Sequence, residues 1–220
     1  MSVETAEVDG VLVATMDDGK ANALSFEAIA ALRAAVATAS GSSRALVVTG
    51  REGCFSAGFD LAVINGGDPD RAANLFAEGA LLYREIVEAP IPVVASCTGH
   101  ALAGGALLLL SADYRIGRPG AYRLGLNEVR IGMALPSFAA VMARHGLERR
   151  HLMSATMGAE IASPERALTM GYLDALADDP LAGALAWAAS TAALPAAAFA
   201  VTKRRIRRPL QQEMASQNLR

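Results

Sequence analysis

Ile91-Pro92-Val93-Val94-Ala95-Ser96 is a short apolar run with β-branched residues. It leads through Cys97-Thr98-Gly99-His100-Ala101-Leu102-Ala103-Gly104-Gly105-Ala106 straight into Leu107-Leu108-Leu109-Leu110. The run predicts a buried strand, and the apolar residues that continue without alternation to Ala112 predict a buried helix. Glycines at such a strand-to-helix turn let a ligand approach the backbone, and the first helical N–H groups have no partner inside the helix. Those N–H groups and the positive end of the helix dipole suit negative charge, a developing oxyanion included. Paired glycines before a helix also serve tight packing, so the stretch alone fixes no function. Neither G-x-G-x-x-G nor G-x-x-x-x-G-K-[ST] occurs, which leaves a Rossmann or P-loop nucleotide site without support.

Upstream, Val11–Met16 predicts a strand ending at Asp17-Asp18-Gly19. Ser25 reads as the N-cap of a helix over Phe26–Ser40, with Glu27 in its first turn and Ile29, Leu32 and Val36 on one face. Gly41-Ser42-Ser43 is expected to break that helix. Ala45–Thr49 is then a strand of the buried, parallel type, and this strand–helix–strand order argues for an α/β architecture. With 220 residues, 53% hydrophobic and 19% charged, the chain has the material for one large core. Its net charge of −2 gives no electrostatic reason to bind nucleic acid or an acidic membrane. Cys54 and Cys97 lack metal-ligand spacing, and no metal is expected. Met1–Asp9 is acidic without an apolar signal region, and the longest apolar run is too short to span a bilayer, so a cytoplasmic location is expected.

Gly50–Leu61 follows the C-terminal end of a predicted strand, where ligands of parallel sheets usually sit. Small residues at Ser56, Ala57 and Gly58 would let a main-chain N–H face a cavity; a tight loop burying Phe55 and Phe59 is the alternative reading. Arg71–Ala89 predicts a helix, and Asp113–Gly117 and Gly120–Leu124 predict strands. Glu128 lies in an otherwise apolar, glycine-punctuated segment, Gly125–Pro136. Buried there, its pKa would rise and make it a candidate proton carrier. From Ser137 onward the pattern is mostly helical, over Phe138–His145, Glu148–Met157, Pro164–Met170 and Leu181–Thr191, with a non-helical excursion over Leu173–Asp179. Lys203-Arg204-Arg205 and Arg207-Arg208 form a basic cluster, ordinarily a solvated face but also suited to phosphates.

Three stretches, taken in order, resemble the crotonase superfamily, the enoyl-CoA hydratase/isomerase proteins. Lys20-Ala21-Asn22-Ala23-Leu24 resembles the segment that in this family lies near the coenzyme A moiety. Phe55-Ser56-Ala57-Gly58-Phe59-Asp60-Leu61 resembles the first oxyanion loop, and Gly99–Ala106 resembles the second. The resemblance implies a spiral of ββα units followed by a C-terminal helical region that assembles trimers, often dimers of trimers. We take residues 1–160 as the spiral core and 161–220 as the helical region, not an independent domain. The substrate implied is an acyl-CoA, with no cofactor beyond the coenzyme A of the substrate itself.

Carried over residue by residue, the resemblance puts the backbone N–H groups of Phe59 and Gly104 on the thioester oxygen. It puts Ala21, Ala23, Ala57, Asp60, Leu61, Gly105 and Leu107 around the substrate. Ala103 stands where the family usually has a third glycine, a departure at a non-donor position that is expected to be mild. The hydratases of the family carry two glutamates; one position matches Glu128, and the other is Leu107, which can neither hold nor activate water. A single carboxylate suffices to move a double bond from the 3- to the 2-position. Gly125-Leu126-Asn127-Glu128 looks particularly like the single-glutamate Δ3-Δ2-enoyl-CoA isomerases. Weak hydration, thioester hydrolysis and acyl-CoA binding without turnover are the alternatives.

Overall fold

Residues 3–216 are described in a computed structural model of the chain. Strand β1 (Val3–Val8) pairs antiparallel with β2 (Val11–Met16) across a turn at Asp9 and Gly10, both at positive φ. Five of the six β1 residues face solvent, which suits an edge strand and leaves no apolar pattern to read. Met1 and Ser2, in the segment read for a signal, lie outside the described residues.

From β2 onward the chain repeats one unit: a long strand, a short strand and a helix. The first unit is β2, β3 (Ala23–Leu24) and α1 (Phe26–Ser42). The second is β4 (Ala45–Gly50), β5 (Gly53–Ser56) with β6 (Gly58–Phe59), a one-turn α2 (Leu61–Ile64) and α3 (Pro69–Glu88). The third is β7 (Val93–Cys97), β8 (Gly99–Leu102) and α4 (Gly104–Ser111), and the fourth is β9 (Tyr114–Gly117), β10 (Leu124–Gly125) and α5 (Ser137–Gly146). After the short α6 (Leu152–Ala155) come α7 (Pro164–Met170), β11 (Ala175–Leu176), α8 (Pro180–Ala192) and α9 (Ala196–Ser216).

The long strands form one sheet in the order β1-β2-β4-β7-β9-β11, and the short strands pair beside it as β10-β8-β5 and β3-β6. Every pairing but β1–β2 is parallel, so each unit advances one place along the sheet: the expected spiral of ββα units. The central strands read as unbroken apolar runs because both of their faces are covered. Leu12, Leu46, Val48, Val93 and Ala95 join the main core, which includes buried residues of α1, α3 and α4. Val11, Val13, Val47 and Val94 face the other way, onto Ala184 and Ala188 of α8. The residues after 161 are therefore woven into the spiral: β11 extends the main sheet beside β9, and α8 closes its back.

Local signals account for most boundaries. Ser25 Oγ accepts the Ala28 N–H at 3.2 Å and starts α1, and Asp68 does the same for α3 through Arg71. Helix α1 runs on through Gly41 and Ser42, which the sequence suggested would break it, and ends where the Ser43 N–H reaches Ala39 O. The strand expected over Gly120–Leu124 shrinks to Leu124–Gly125, because Gly120 at φ +136° turns the chain back on Tyr122. The helix expected over Glu148–Met157 divides into a 3-10 turn at Arg149–His151 and α6. The Leu173–Asp179 excursion holds β11.

The basic cluster sits on α9 and corrects one expectation. Lys203 is 8% exposed, and its Nζ donates to Asp113 Oδ2 at 2.6 Å and to the carbonyls of Ile86 and Ile91. Arg207 donates to Ala112 O at 2.7 Å and lies 3.5 Å from Asp113. Two cations of the cluster read as suited to phosphates, Lys203 and Arg207, thus turn inward and pin α9 to the end of α4; Arg204 faces solvent. Removing one member of a buried charge pair strands the other, so Lys203→Met is expected to cost about 3 kcal/mol. In thermal denaturation that loss would lower the midpoint by roughly 6–12 °C; an unchanged midpoint would show that the pin is dispensable. No single helix among the described residues is long and apolar enough to cross a membrane.

Candidate active site

Two loops and one turn meet at the C-terminal ends of β4, β7 and β9. Asn22 organises the first loop. It is buried, sits at φ 51°, a region asparagine tolerates, and places Nδ2 at 2.9, 3.0 and 3.2 Å from the carbonyls of Met16, Cys54 and Phe55. Ser56 Oγ donates to Asn22 O at 2.8 Å and accepts the Gly58 N–H at 3.1 Å. Asn22 lies within the segment that resembles the coenzyme A region, where the expected substrate neighbours are Ala21 and Ala23. Ala21 O accepts the Ala57 N–H at 2.9 Å, while Ala23 pairs with Gly58 in the ladder of β3 and β6 and donates its N–H to Asp18.

The second loop is pressed against the first. A Cβ on Gly58 would lie 2.9 Å from Gly104 N, Leu102 O and Ala103 Cβ; one on Gly105 would lie 2.3 Å from Ser56 O. Gly58 also has φ +95°, so both space and conformation require glycine. Gly104 is the first residue of α4, where an N–H has no partner within the helix, and the dipole makes that end positive. Phe59 is 8% exposed, with its ring edge-on to Phe76 at 5.1 Å.

Ala103 aims the peptide that carries the Gly104 N–H. Its φ 48° and ψ −122° are natural to glycine and strained for alanine, at a cost of about 1–3 kcal/mol. The departure from the family's glycine, expected to be mild, is therefore a conformational one, and the Ala103 side chain borders the cavity described next. Ala103→Gly is expected to raise stability by about 1 kcal/mol, net of glycine's extra chain entropy. A lowered midpoint in denaturant titration would show that the methyl group matters more than the strain.

A cavity of about 120 Å³ opens where these loops meet the Gly125–Pro136 turn. Ala57, Phe59 and Ala103 form one wall, with Leu107, 1% exposed, beneath them. Leu61, Ile64, Phe76, Ile131 and Met133 make the rim apolar. Asn127 and Glu128 close the remaining side. Of the other residues named from sequence, Asp60 caps α2 by accepting the Ala62 N–H at 2.9 Å, and Gly105 sits behind Ala103 against Ser56. Ala21, Ala23, Asp60, Gly104 and Gly105 are not part of the cavity wall. A larger cleft, about 420 Å³, lies by Asp113, Lys203 and Arg207, where the charges already satisfy one another.

Glu128 is 7% exposed. Its carbonyl accepts the Ile131 and Met133 N–H groups, which fold the turn around it. Tyr172, buried below, accepts the Leu126 N–H at 3.3 Å and steadies the strand end that precedes it. Among the described residues Glu128 Oε2 and Asn127 Oδ1 are buried with no hydrogen-bond partner. Burial therefore pushes the Glu128 carboxyl above its ordinary 4.5, opposed only by its own backbone N–H. A buried carboxylate oxygen left unpaired is costly, and Glu128 is one of the residues that line the apolar cavity.

Residues 6–219 match the family described as Enoyl-CoA hydratase/isomerase. An enoyl-CoA hydratase/isomerase family protein from Pseudomonas syringae is 37% identical, with a TM-score of 0.94 over 98% of this chain and 94% of that one. A protein from Mycobacterium tuberculosis, named an enoyl-CoA isomerase in one structure and a probable enoyl-CoA hydratase in another, is 36% identical, with a TM-score of 0.92 over 98% and 95% of the two chains in the first. A probable enoyl-CoA hydratase of the same organism, EchA14, is 30% identical over 186 residues, 84% of this chain and 72% of its own length.

Proposed function

The chain belongs to the enoyl-CoA hydratase/isomerase family, and from that premise we propose that it is a Δ3-Δ2-enoyl-CoA isomerase with Glu128 as its single proton carrier. The observation that carries the reading is Glu128, with Oε2 buried and unpaired, lining the same apolar cavity as Leu107. The 36% identical Mycobacterium tuberculosis protein carries both names, enoyl-CoA isomerase and probable enoyl-CoA hydratase, so the choice between the two reactions rests on Glu128 and Leu107.

In the proposed reaction the thioester carbonyl sits between the backbone N–H groups of Phe59 and Gly104. Glu128 removes a proton from C2, and the electron pair moves onto the thioester oxygen as a dienolate. The two donors stabilise that charge, each being worth about 3 kcal/mol of barrier. Glu128 then returns its proton at C4, leaving the double bond between C2 and C3. Atoms balance with no water and no separate cofactor; coenzyme A belongs to the substrate. Leu107 holds water away from the intermediate, where a second glutamate would bind it. Assembly as a homotrimer or dimer of trimers belongs to the proposal through the family resemblance. Met153 and Met157, 63% and 72% exposed, supply apolar surface for such contacts.

The test is a panel of CoA esters assayed side by side for isomerisation, hydration and thiol release. Isomerisation of a 3-enoyl-CoA with negligible loss of 2-enoyl absorbance supports the reading; dominant hydration, dominant thiol release or binding alone rejects it. The pH dependence follows from the site. The base form must be ionised and burial raises its pKa, so kcat/KM is expected to fall on the acid side with a midpoint above 4.5. A midpoint at or below 4.5 would mean a solvated carboxylate.

A further inference from the structure

Tyr83 lies fully buried on α3 where that helix crosses the start of α4. Its hydroxyl donates to Gly104 O at 2.8 Å. Its ring meets that of Phe59 edge-on at 6.3 Å and that of Phe138 at 6.1 Å. A Cβ on Gly104 would lie 3.0 Å from both Tyr83 Oη and the Phe59 ring, so the Gly104 backbone is wedged between these two side chains. One residue thus touches both amino acids whose main-chain N–H groups are assigned to the thioester oxygen.

A buried phenol needs some acceptor, and packing alone would make the nearest carbonyl serve. Two features argue for more. The carbonyl of a first-turn residue already receives an N–H from four residues on, so the Tyr83 bond is an additional restraint on the Gly104–Gly105 peptide, joined through the Gly104 Cα to the peptide that carries the Gly104 N–H. Gly104 also follows Ala103, whose strained φ persists only where the surroundings over-determine it. Relaxation of Ala103 would rotate the peptide bearing the Gly104 N–H. We propose that Tyr83 is a positioning residue: its hydroxyl fixes the angle between the Phe59 and Gly104 donors. This inference rests on the assignment of those two donors and deepens it. The outcome matters because a donor displaced by about 1 Å costs on the order of a hundredfold in rate.

The experiment compares wild type with Tyr83→Phe, which removes one hydroxyl, and Phe138→Leu, which loosens the other side of the ring and keeps the hydroxyl. Each is measured for kcat and KM on a 3-enoyl-CoA, for thermal midpoint, and for the absorbance shift of bound 2,4-hexadienoyl-CoA. Donors on the carbonyl polarise that conjugated thioester and move its absorbance to longer wavelength, whether or not the protein turns over substrate. Tyr83→Phe is expected to lower kcat roughly tenfold at nearly constant KM and to shrink the shift; Phe138→Leu is expected to lower the midpoint and leave the shift in place. An unchanged shift in Tyr83→Phe, or losses in both variants that merely follow the midpoint, would overturn the inference. Wild type that polarises the probe but fails to isomerise would reject the isomerase reading, and the shift in Tyr83→Phe would still decide for or against Tyr83. Wild type that binds the probe without a shift, or does not bind it, would overturn both.

Discussion

Glu128→Gln is expected to lower turnover of a 3-enoyl-CoA by about 10²–10⁴, the range supplied by a positioned acid–base group. Acyl-CoA affinity should stay nearly constant, because glutamine keeps the shape of the side chain and cannot take the C2 proton. The same variant carries a second signature. Burial raises the Glu128 pKa above its ordinary 4.5, so folding is favoured while the carboxyl is protonated. That contribution is complete below the unfolded pKa and is lost as pH rises through the folded pKa. At neutral pH the ionised group therefore destabilises the fold, and Glu128→Gln should raise the thermal midpoint. Towards pH 4 and below, where the acid is protonated in both states, the gain should vanish. A glutamate retained for structure alone would show the opposite, unchanged turnover with a lowered midpoint.

Gly58→Ala is expected to reduce kcat by about 10²–10³, comparable to removing one oxyanion donor outright. The added methyl would stand 2.9 Å from Gly104 N and from Leu102 O, backbone atoms that yield only by moving the second loop. At φ +95° the alanine is strained as well, and together these should cost about 1–3 kcal/mol of stability. The distinguishing readout is affinity for a saturated acyl-CoA, which should fall far less than kcat, because the donors are needed most once charge has moved onto the oxygen. Parallel losses in binding and turnover would place Gly58 in the binding surface and not between two donors.

How far the sequence is legible differs from element to element. The strands β2, β4 and β7 and the helix α4 declare themselves through runs that only double-sided burial explains, and α1 through Ser25 and its apolar face. The two-residue strands β3, β6 and β10 carry no pattern of their own; they exist because the spiral brings partners alongside. Helix α9 hides for a different reason. Its buried face includes Lys203, a residue expected in water, whose partner Asp113 lies ninety positions away. The site divides in the same way. Glu128 and the two glycine turns stand out from local sequence, a lone acid in an apolar stretch being visible there, whereas Phe59, Gly104 and Leu107 take their proposed roles from the family resemblance. Asn22 as the clamp of the first loop and Tyr83 against Gly104 are contacts across the fold, between positions that no spacing relates. The strain at Ala103 needed coordinates, because alanine after leucine looks harmless on the page.

A 3-enoyl-CoA carrying two deuterium atoms at C2, converted in ordinary water, follows the proton itself. One buried carboxylate that takes from C2 and gives to C4 predicts a 2-enoyl-CoA with deuterium at C4 well above what solvent exchange leaves. Deuterium confined to C2 in that product, or recovery of unrearranged substrate or of a 3-hydroxyacyl-CoA in its place, would contradict a single carrier at Glu128.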